Sequence, residues 1–362
     1  MKSPDGFTKL KMSYIDPPDK LLHHVDRLAE LKAGVMPAPI NIEVDLSNRC
    51  SLGCEGCHFG YTHSRGPLAN SAKPAGVQEM GDLMDVHMAK RLLDEAYIMG
   101  VRSVTWTGGG EPTLHPNFDE IISYSMLPQG VYTNGCHISP ARARLMRARM
   151  AWVYVSLDYA NRSDYKLYKK ADKFEDAITG IARLADAHGD ATIGVGFLLW
   201  RENWTQAHEM MQLAFTQGAD YVQFRPMILH KLAAPGEIQE DTGWLEAIIP
   251  MLETLKKYPG VIVDVDRFKN YMNWQGHGYK TCWWSALQTV ITPNGNLWTC
   301  VNRRGFNGDC IGNLDKDTLY SIWQEHGIKQ VDHDCRVFCR GHIPNTVLDK
   351  VMGNSNPHNY FV

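Results

Sequence analysis

The chain has 362 residues, 44% hydrophobic and 21% charged, which is material for one large domain or a barrel plus a smaller module. A formal net charge of -3 provides no basic field to gather polyanions, so bulk electrostatics give nucleic-acid binding no support and leave it only a local patch. The N-terminus has no apolar leader, the longest apolar run (near Ile193 to Trp200) is far short of a membrane span, and nine clustered cysteines fit metal ligation in a reducing, cytoplasmic setting better than a disulfide framework.

In chain order, residues 1 to 40 read as an N-terminal extension with one helix, Lys20 to Leu31, in which Leu21, Leu22, Val25, Leu28 and Leu31 recur at helical spacing before Gly34 and Pro37. The strand-like run Asn41 to Leu46 leads into Cys50-Ser51-Leu52-Gly53-Cys54-Glu55-Gly56-Cys57. Thiolates this close can share one iron–sulfur cube and leave its fourth iron without a protein ligand; zinc, with His58 as the extra ligand, is the rival reading. His58 to Gly81 is a long loop rich in Gly, Ser, Ala and Pro, expected to lie over the site. From Asp82 as N-cap, Leu83, Val86, Ala89, Leu92, Leu93 and Ala96 form a helical face up to Gly100. The strand Val104 to Thr107 then runs into Gly108-Gly109-Gly110-Glu111-Pro112. Helices near 117–125, 139–149, 173–188 and 204–217 alternate with strands at 130–133, 152–157, 191–199 and 221–224, six strands in all, which argues a parallel sheet. Polar residues gather at the strand ends: Glu111, Thr133 with Asn134, Ser156 with Asp158, and Arg225, a candidate substrate contact.

The two motifs together, Cys50-x3-Cys54-x2-Cys57 after the first strand and Gly109-Gly110-Glu111 after the second, resemble the radical S-adenosylmethionine (SAM) superfamily. The resemblance implies an α/β fold, a partial (β/α)6 TIM-like barrel over residues 41–231 with sites at the C-terminal strand ends. It also implies a [4Fe–4S] cluster on Cys50, Cys54 and Cys57 whose open iron is chelated by SAM, and cleavage of SAM to a 5′-deoxyadenosyl radical that abstracts hydrogen. Gly109 and Gly110 would let backbone approach the methionyl part of SAM, and Glu111 would accept from its ammonium. Ser156 and Asp158 would serve the ribose or carboxylate. Lys169 and Lys170 read as a charged helix face in preference to partners of the SAM carboxylate. The family commonly has an aromatic residue where this chain has Gly56, so Phe59 or Tyr61 is expected to compensate. Cys136 reads as a plain buried thiol.

Residues 232–280 form a bridging segment, with a helix from 242 to 257 and a strand Val261 to Val265. Cys282, Cys300, Cys310, Cys335 and Cys339 then fall within a short span, with a hairpin, Leu287 to Thr292 and Asn296 to Thr299, between the first two. With Ile311-Gly312-Asn313-Leu314, this resembles the SPASM and twitch extensions. It implies a small α+β auxiliary-cluster domain, 281–345, holding a second [4Fe–4S] cluster on Cys282, Cys300, Cys335 and Cys339, with Cys310 the odd thiol. His342, His358 and Asn359 carry no pattern convertible into chemistry, and 346–362 is a tail. The expected function is an oxidoreductase or isomerase acting on a small polar metabolite, sugar or nucleotide-type substrate, with a flavodoxin or ferredoxin as electron donor and no membrane. The alternatives are a maturase of hypermodified thymidine in phage-type DNA, a peptide-modifying enzyme, disfavoured because the N-terminal helix is too short to be a recognition module, and a zinc-binding regulatory protein.

Overall fold

Alternation of side chains along the first strand explains the core of the barrel. In the computed structural model, which describes residues 17–69, 73, 75–227, 243–332, 335 and 339–353, β1 (Asn41–Asp45) buries Ile42 and Val44 among the helices and turns Glu43 and Asp45 to the other face. His358, Asn359 and residues 228–242 lie outside the described residues. β2 (Ser103–Thr107), β3 (Gln129–Thr133), β4 (Trp152–Ser156), β5 (Thr192–Leu199) and β6 (Tyr221–Pro226) follow β1 side by side and parallel. This is the arrangement that crossover helices between successive strands produce.

The sheet continues at both ends. β7 (Val261–Val263) joins β6 in parallel, while β8 (Gln288–Ile291) pairs in parallel with β1 and carries β9 (Asn296–Trp298) and β10 (Cys310–Asn313) as an antiparallel extension. One ten-stranded sheet results, in the order β10-β9-β8-β1-β2-β3-β4-β5-β6-β7. The C-terminal hairpin thus covers the edge that β1 would otherwise leave with unpaired backbone groups.

On the inner face, aromatic rings fill the barrel because glycines on neighbouring strands make room for them. A Cβ on Gly130 would lie 2.0 Å from the Trp152 ring, one on Gly194 2.1 Å from Tyr221, and one on Gly196 1.8 Å from the Tyr154 hydroxyl. Tyr132 meets Trp152 and Tyr154 edge to face, at 4.9 and 5.1 Å between centroids.

Several elements differ from expectation. The helix after the long loop is Val86–Met99 and its N-cap is Asp85, whose side chain accepts from His87 N and Met88 N; Asp82 is taken by Arg49 and Ser64 instead. Helices Val265–Met272 and His342–Met352 were not assigned from the sequence, and Arg162–Lys169 entered only as the charged helix face read for Lys169 and Lys170. Of the apolar residues assigned to the N-terminal helix, Leu21 and Leu31 are buried, Leu21 against Leu287 and Leu348, while Leu22 and Val25 face solvent. Among the described residues no helix is long and apolar enough to cross a membrane.

Candidate active site

The loop after β1 is held by backbone bonds from four directions. Cys50 N donates to Arg65 O (2.9 Å), Gly53 N to Lys169 O (2.8 Å), Glu55 N to Tyr168 O (2.8 Å), and the Arg49 carbonyl accepts from Glu111 N (2.7 Å). Gly66, at φ 117°, lies so close to the Cys50 carbonyl that a Cβ would come within 1.8 Å of it. The glycines after β2 have a similar duty. A Cβ on Gly110 would be 2.2 Å from Arg49 O, and one on Gly109 2.1 Å from Asn48 Oδ1 and Thr62 Oγ1. The glycine requirement expected from approach to SAM is therefore set first by approach to the cysteine loop itself.

The long segment after the loop covers the site through His58, Phe59 and His63, which line the cavity, and then turns to a second duty. Gln78 N bonds Gly305 O, Asn307 N bonds Gly76 O, and Tyr61, Met80 and Val77 pack with Val290, Trp298 and Phe306. The segment fastens the C-terminal hairpin to the barrel. Tyr61 belongs to that cluster, its hydroxyl donating to Arg304 O at 3.2 Å, so it cannot stand in for an aromatic at Gly56. Phe59 does line the cavity, and Met227 fills the space beside Gly56, with Sδ 2.4 Å from where a Cβ would be.

Cys50, Cys54 and Cys57 line one cavity of about 360 Å³ together with Gly109, Gly110 and Glu111. Thr133, Asn134, Ser156, Asp158 and Arg225 are on its wall as well, whereas Tyr61, Cys136 and Lys170 are not. Burial pushes the Cys57 thiol up to about 12, with Cys54 adding to the rise, and lifts Cys50 and Cys54 in the same way. Such thiols stay protonated until a metal takes them. Among the described residues no three His, Cys, Asp or Glu side chains meet closely enough for a single metal ion. The thiols border a space instead, a donor set that suits the corners of an iron–sulfur cube better than one zinc. His58 stacks edge-on against Phe59, and it is His63, missed from the sequence, whose Nε2 lies 3.8 Å from Cys57 Sγ.

Glu111 is buried and well occupied. Oε1 accepts from Thr113 N, Thr113 Oγ1 and Thr133 Oγ1 at 3.1, 2.6 and 2.7 Å, and Oε2 from Asn134 N at 2.7 Å, which leaves lone-pair capacity on Oε2 alone. Asp158, at φ 65°, is engaged once on each oxygen: Oδ2 accepts from Lys169 Nζ at 2.5 Å and Oδ1 from Leu198 N at 2.8 Å. Its carboxylate locks the helix 162–169 to β5 while the residue lines the cavity. Lys169 is correspondingly buried, not part of a charged face; burial acts to lower its ammonium, but Asp158 and Cys54 outweigh that and hold it well above the usual range. Lys170 does remain half-exposed, 3.7 Å from Glu55. Cys136 is a half-buried thiol beside the Tyr165 hydroxyl.

Of the C-terminal thiols, Cys282, Cys300 and Cys335 lie within electrostatic range of one another, and Cys282, Cys335 and Cys339 within range of Tyr279. Cys310 stands apart: its Sγ donates to Gly312 O at 3.5 Å and its charged neighbour is Lys316. Cys282 is the N-cap residue of the turn Trp283–Ala286, which leads into β8 of the hairpin. Asn345, unsuspected from sequence, donates from Nδ2 to Cys282 Sγ at 3.3 Å. Between the two thiol groups lies a buried ion cluster in which Arg304 bonds Asp45 and lies 3.8 Å from Glu43, while Arg340 bonds the other Glu43 oxygen.

Comparison with known proteins gives four findings. A family profile described as the Radical SAM superfamily matches residues 44–214. Mycofactocin maturase MftC of Mycobacterium tuberculosis is 32% identical over 199 residues, 54% of this chain and 46% of that protein, so the chain spans about half the length of that curated relative. PqqA peptide cyclase of Xanthomonas campestris is 24% identical over 307 residues, 81% of this chain and 75% of that protein. The crystal structure of Streptococcus suis SuiB bound to precursor peptide SuiA shares the fold at a TM-score of 0.60 and 14% identity, across 89% of this chain and 74% of that one.

Proposed function

We propose that this chain, whose residues 44–214 match the Radical SAM superfamily profile, is a peptide-modifying radical SAM enzyme that abstracts hydrogen from a residue of a peptide substrate. The observation that carries the reading is the match to a PqqA peptide cyclase over 81% of the chain, a span too long to be the barrel half alone. The small-metabolite reading of the sequence is less well supported. A recognition module serves to dock a peptide, whereas hydrogen abstraction belongs to the barrel cavity, which this chain has.

When bound, the cluster and SAM supply one-electron cleavage of SAM and a hydrogen-abstracting 5′-deoxyadenosyl radical. The chain's own residues do the rest. Cys50, Cys54 and Cys57 would hold the cluster, and the Gly108–Gly110 turn would present backbone to the methionyl group. Oε2 of Glu111 would accept from the ammonium, and Ser156 would offer a hydroxyl on the far wall. The edge-to-face rings of Tyr132, Trp152 and Tyr154 pack inside the barrel and would help to keep bulk water from the reacting carbon.

The test is anaerobic incubation of the reconstituted protein with SAM, dithionite and short peptides encoded beside its gene, in parallel with a panel of sugars and nucleosides. A mass change in a peptide together with deoxyadenosine release is expected. Deuterium transfer from a sugar or nucleoside with none from any peptide would overturn the reading.

In the C-terminal group we assign an auxiliary [4Fe–4S] cluster to Cys282, Cys300, Cys335 and Cys339. Cys310→Ala should then keep about eight irons per chain, two cubes of about four, while Cys335→Ala loses close to one cube. Iron and sulfide assay of the two variants checks this, and the reverse outcome would mean a different ligand set.

A further inference from the structure

We propose that Arg225 is the seat of a substrate carboxylate, so that the substrate presents an acidic side chain or a free C-terminus to the cavity; the inference rests on the peptide reading above. Strand periodicity places the residue. Along β6, Val222 and Phe224 are buried among the helices, and the alternate positions Tyr221, Gln223 and Arg225 are on the opposite face, with Arg225 at the cavity wall.

There the guanidinium rests on a fixed platform. Its Nη2 donates to the Tyr154 hydroxyl at 2.9 Å, and its centre lies 5.1 Å from the centre of the Tyr154 ring. Tyr154 in turn is seated on Gly196, where any Cβ would strike its hydroxyl. The side chain is therefore held in one place before a ligand arrives, and a preorganised fork loses less on binding than a mobile one.

What the guanidinium lacks is an anion. Every carboxylate on the cavity wall is already engaged: Glu43 by Arg304 and Arg340, Glu55 by Lys170, Glu111 by four donors, and Asp158 by Lys169. Among the described residues no carboxylate lies within ion-pairing distance of Arg225, and its Nε is buried without a hydrogen-bond partner. A guanidinium stacked on a ring still offers an in-plane edge to a planar, two-oxygen acceptor, which describes a carboxylate. The SAM carboxylate is the competing occupant. Its amino-acid end belongs over the glycine turn after β2, and β3, β4 and β5 intervene before β6.

Three synthetic pentapeptides probe the site, used with the full chain reconstituted anaerobically and loaded with SAM: acetyl-Gly-Gly-Ala-Gly-Gly amide, the same peptide with Asp at its centre, and the alanine peptide with a free C-terminal carboxylate. Calorimetry should show one or both acidic peptides binding about tenfold tighter than the neutral one, as a charge-assisted fork implies. The arm that shows the preference identifies the source of the carboxylate. Arg225→Leu should abolish the preference, and Arg225→Lys should keep part of it, because a point charge attracts without the fork; the variants' affinity for the neutral peptide reports that the cavity is intact. Equal binding of acidic and neutral peptides by the parent, or an undiminished preference in Arg225→Leu, would overturn the proposal. So would a tenfold loss of SAM affinity in Arg225→Leu, which would make the residue a SAM contact. Glutarate binding that depends on Arg225, with no peptide bound at all, would leave the carboxylate seat standing and remove the peptide reading.

Discussion

A chain in which Cys50, Cys54 and Cys57 are all replaced by alanine should hold about four irons in place of about eight and release no deoxyadenosine from SAM. The loss is expected to be complete because the three thiols share one cavity with the glycine turn, and, outside the C-terminal group, the remaining thiol, Cys136, is bonded toward Tyr165 and the Lys173 carbonyl. The fold should survive. The loop is positioned by the backbone bonds of Cys50, Gly53 and Glu55 and by the Arg49 carbonyl, none of which uses a sulfur. Iron assay, chromatography of the SAM products and far-UV circular dichroism together check the expectation. Unchanged iron or continued cleavage would refute the assignment of the first cluster, whatever becomes of the second.

Arg304→Met should destabilise the protein by about 3–5 kcal/mol, the usual effect of removing one partner from a buried ion pair. Arg304 is fully buried, bonds Asp45, approaches Glu43 and lies 4.2 Å over the Phe59 ring, so its loss leaves Asp45 with a buried charge and no cation in contact. The pH dependence gives the loss a signature. Burial lifts the Asp45 carboxyl to about 6 even though Arg304 acts to lower it. A carboxyl higher in the folded than in the unfolded chain binds its proton more readily when folded, so stability falls as pH rises from about 4 to about 6 and then levels off. Without the guanidinium the folded value moves higher still. The variant should therefore be least stable relative to the parent near pH 8 and recover part of the loss near pH 5.5. Urea unfolding at the two pH values measures this, and Arg304→Met combined with Asp45→Leu should recover most of the stability. A loss below about 1 kcal/mol, or one equal at both pH values, would mean the pair is not the brace between barrel and C-terminal hairpin that its geometry suggests.

What the sequence determined by itself was whatever is written in short-range spacing. The Cys50-x3-Cys54-x2-Cys57 loop and the Gly109-Gly110-Glu111 turn are local, and apolar period fixes strands such as 130–133 and helices such as 139–149 to within a residue or two. Their convergence at one cavity followed, because parallel strands joined by crossover helices deliver all their C-terminal ends to one rim. The tertiary structure alone decided who partners whom. Periodicity says that Lys169 is on a helix, but its burial depends on Asp158 occupying a left-handed corner eleven positions earlier in the chain. Arg304 meets Asp45 across a separation of 259 positions, and Asn345 meets Cys282 across 63, contacts that no local pattern encodes. The joining of β8 to β1 has the same origin: an unpaired strand edge must be covered, yet nothing in the spacing of β1 says which later strand will cover it.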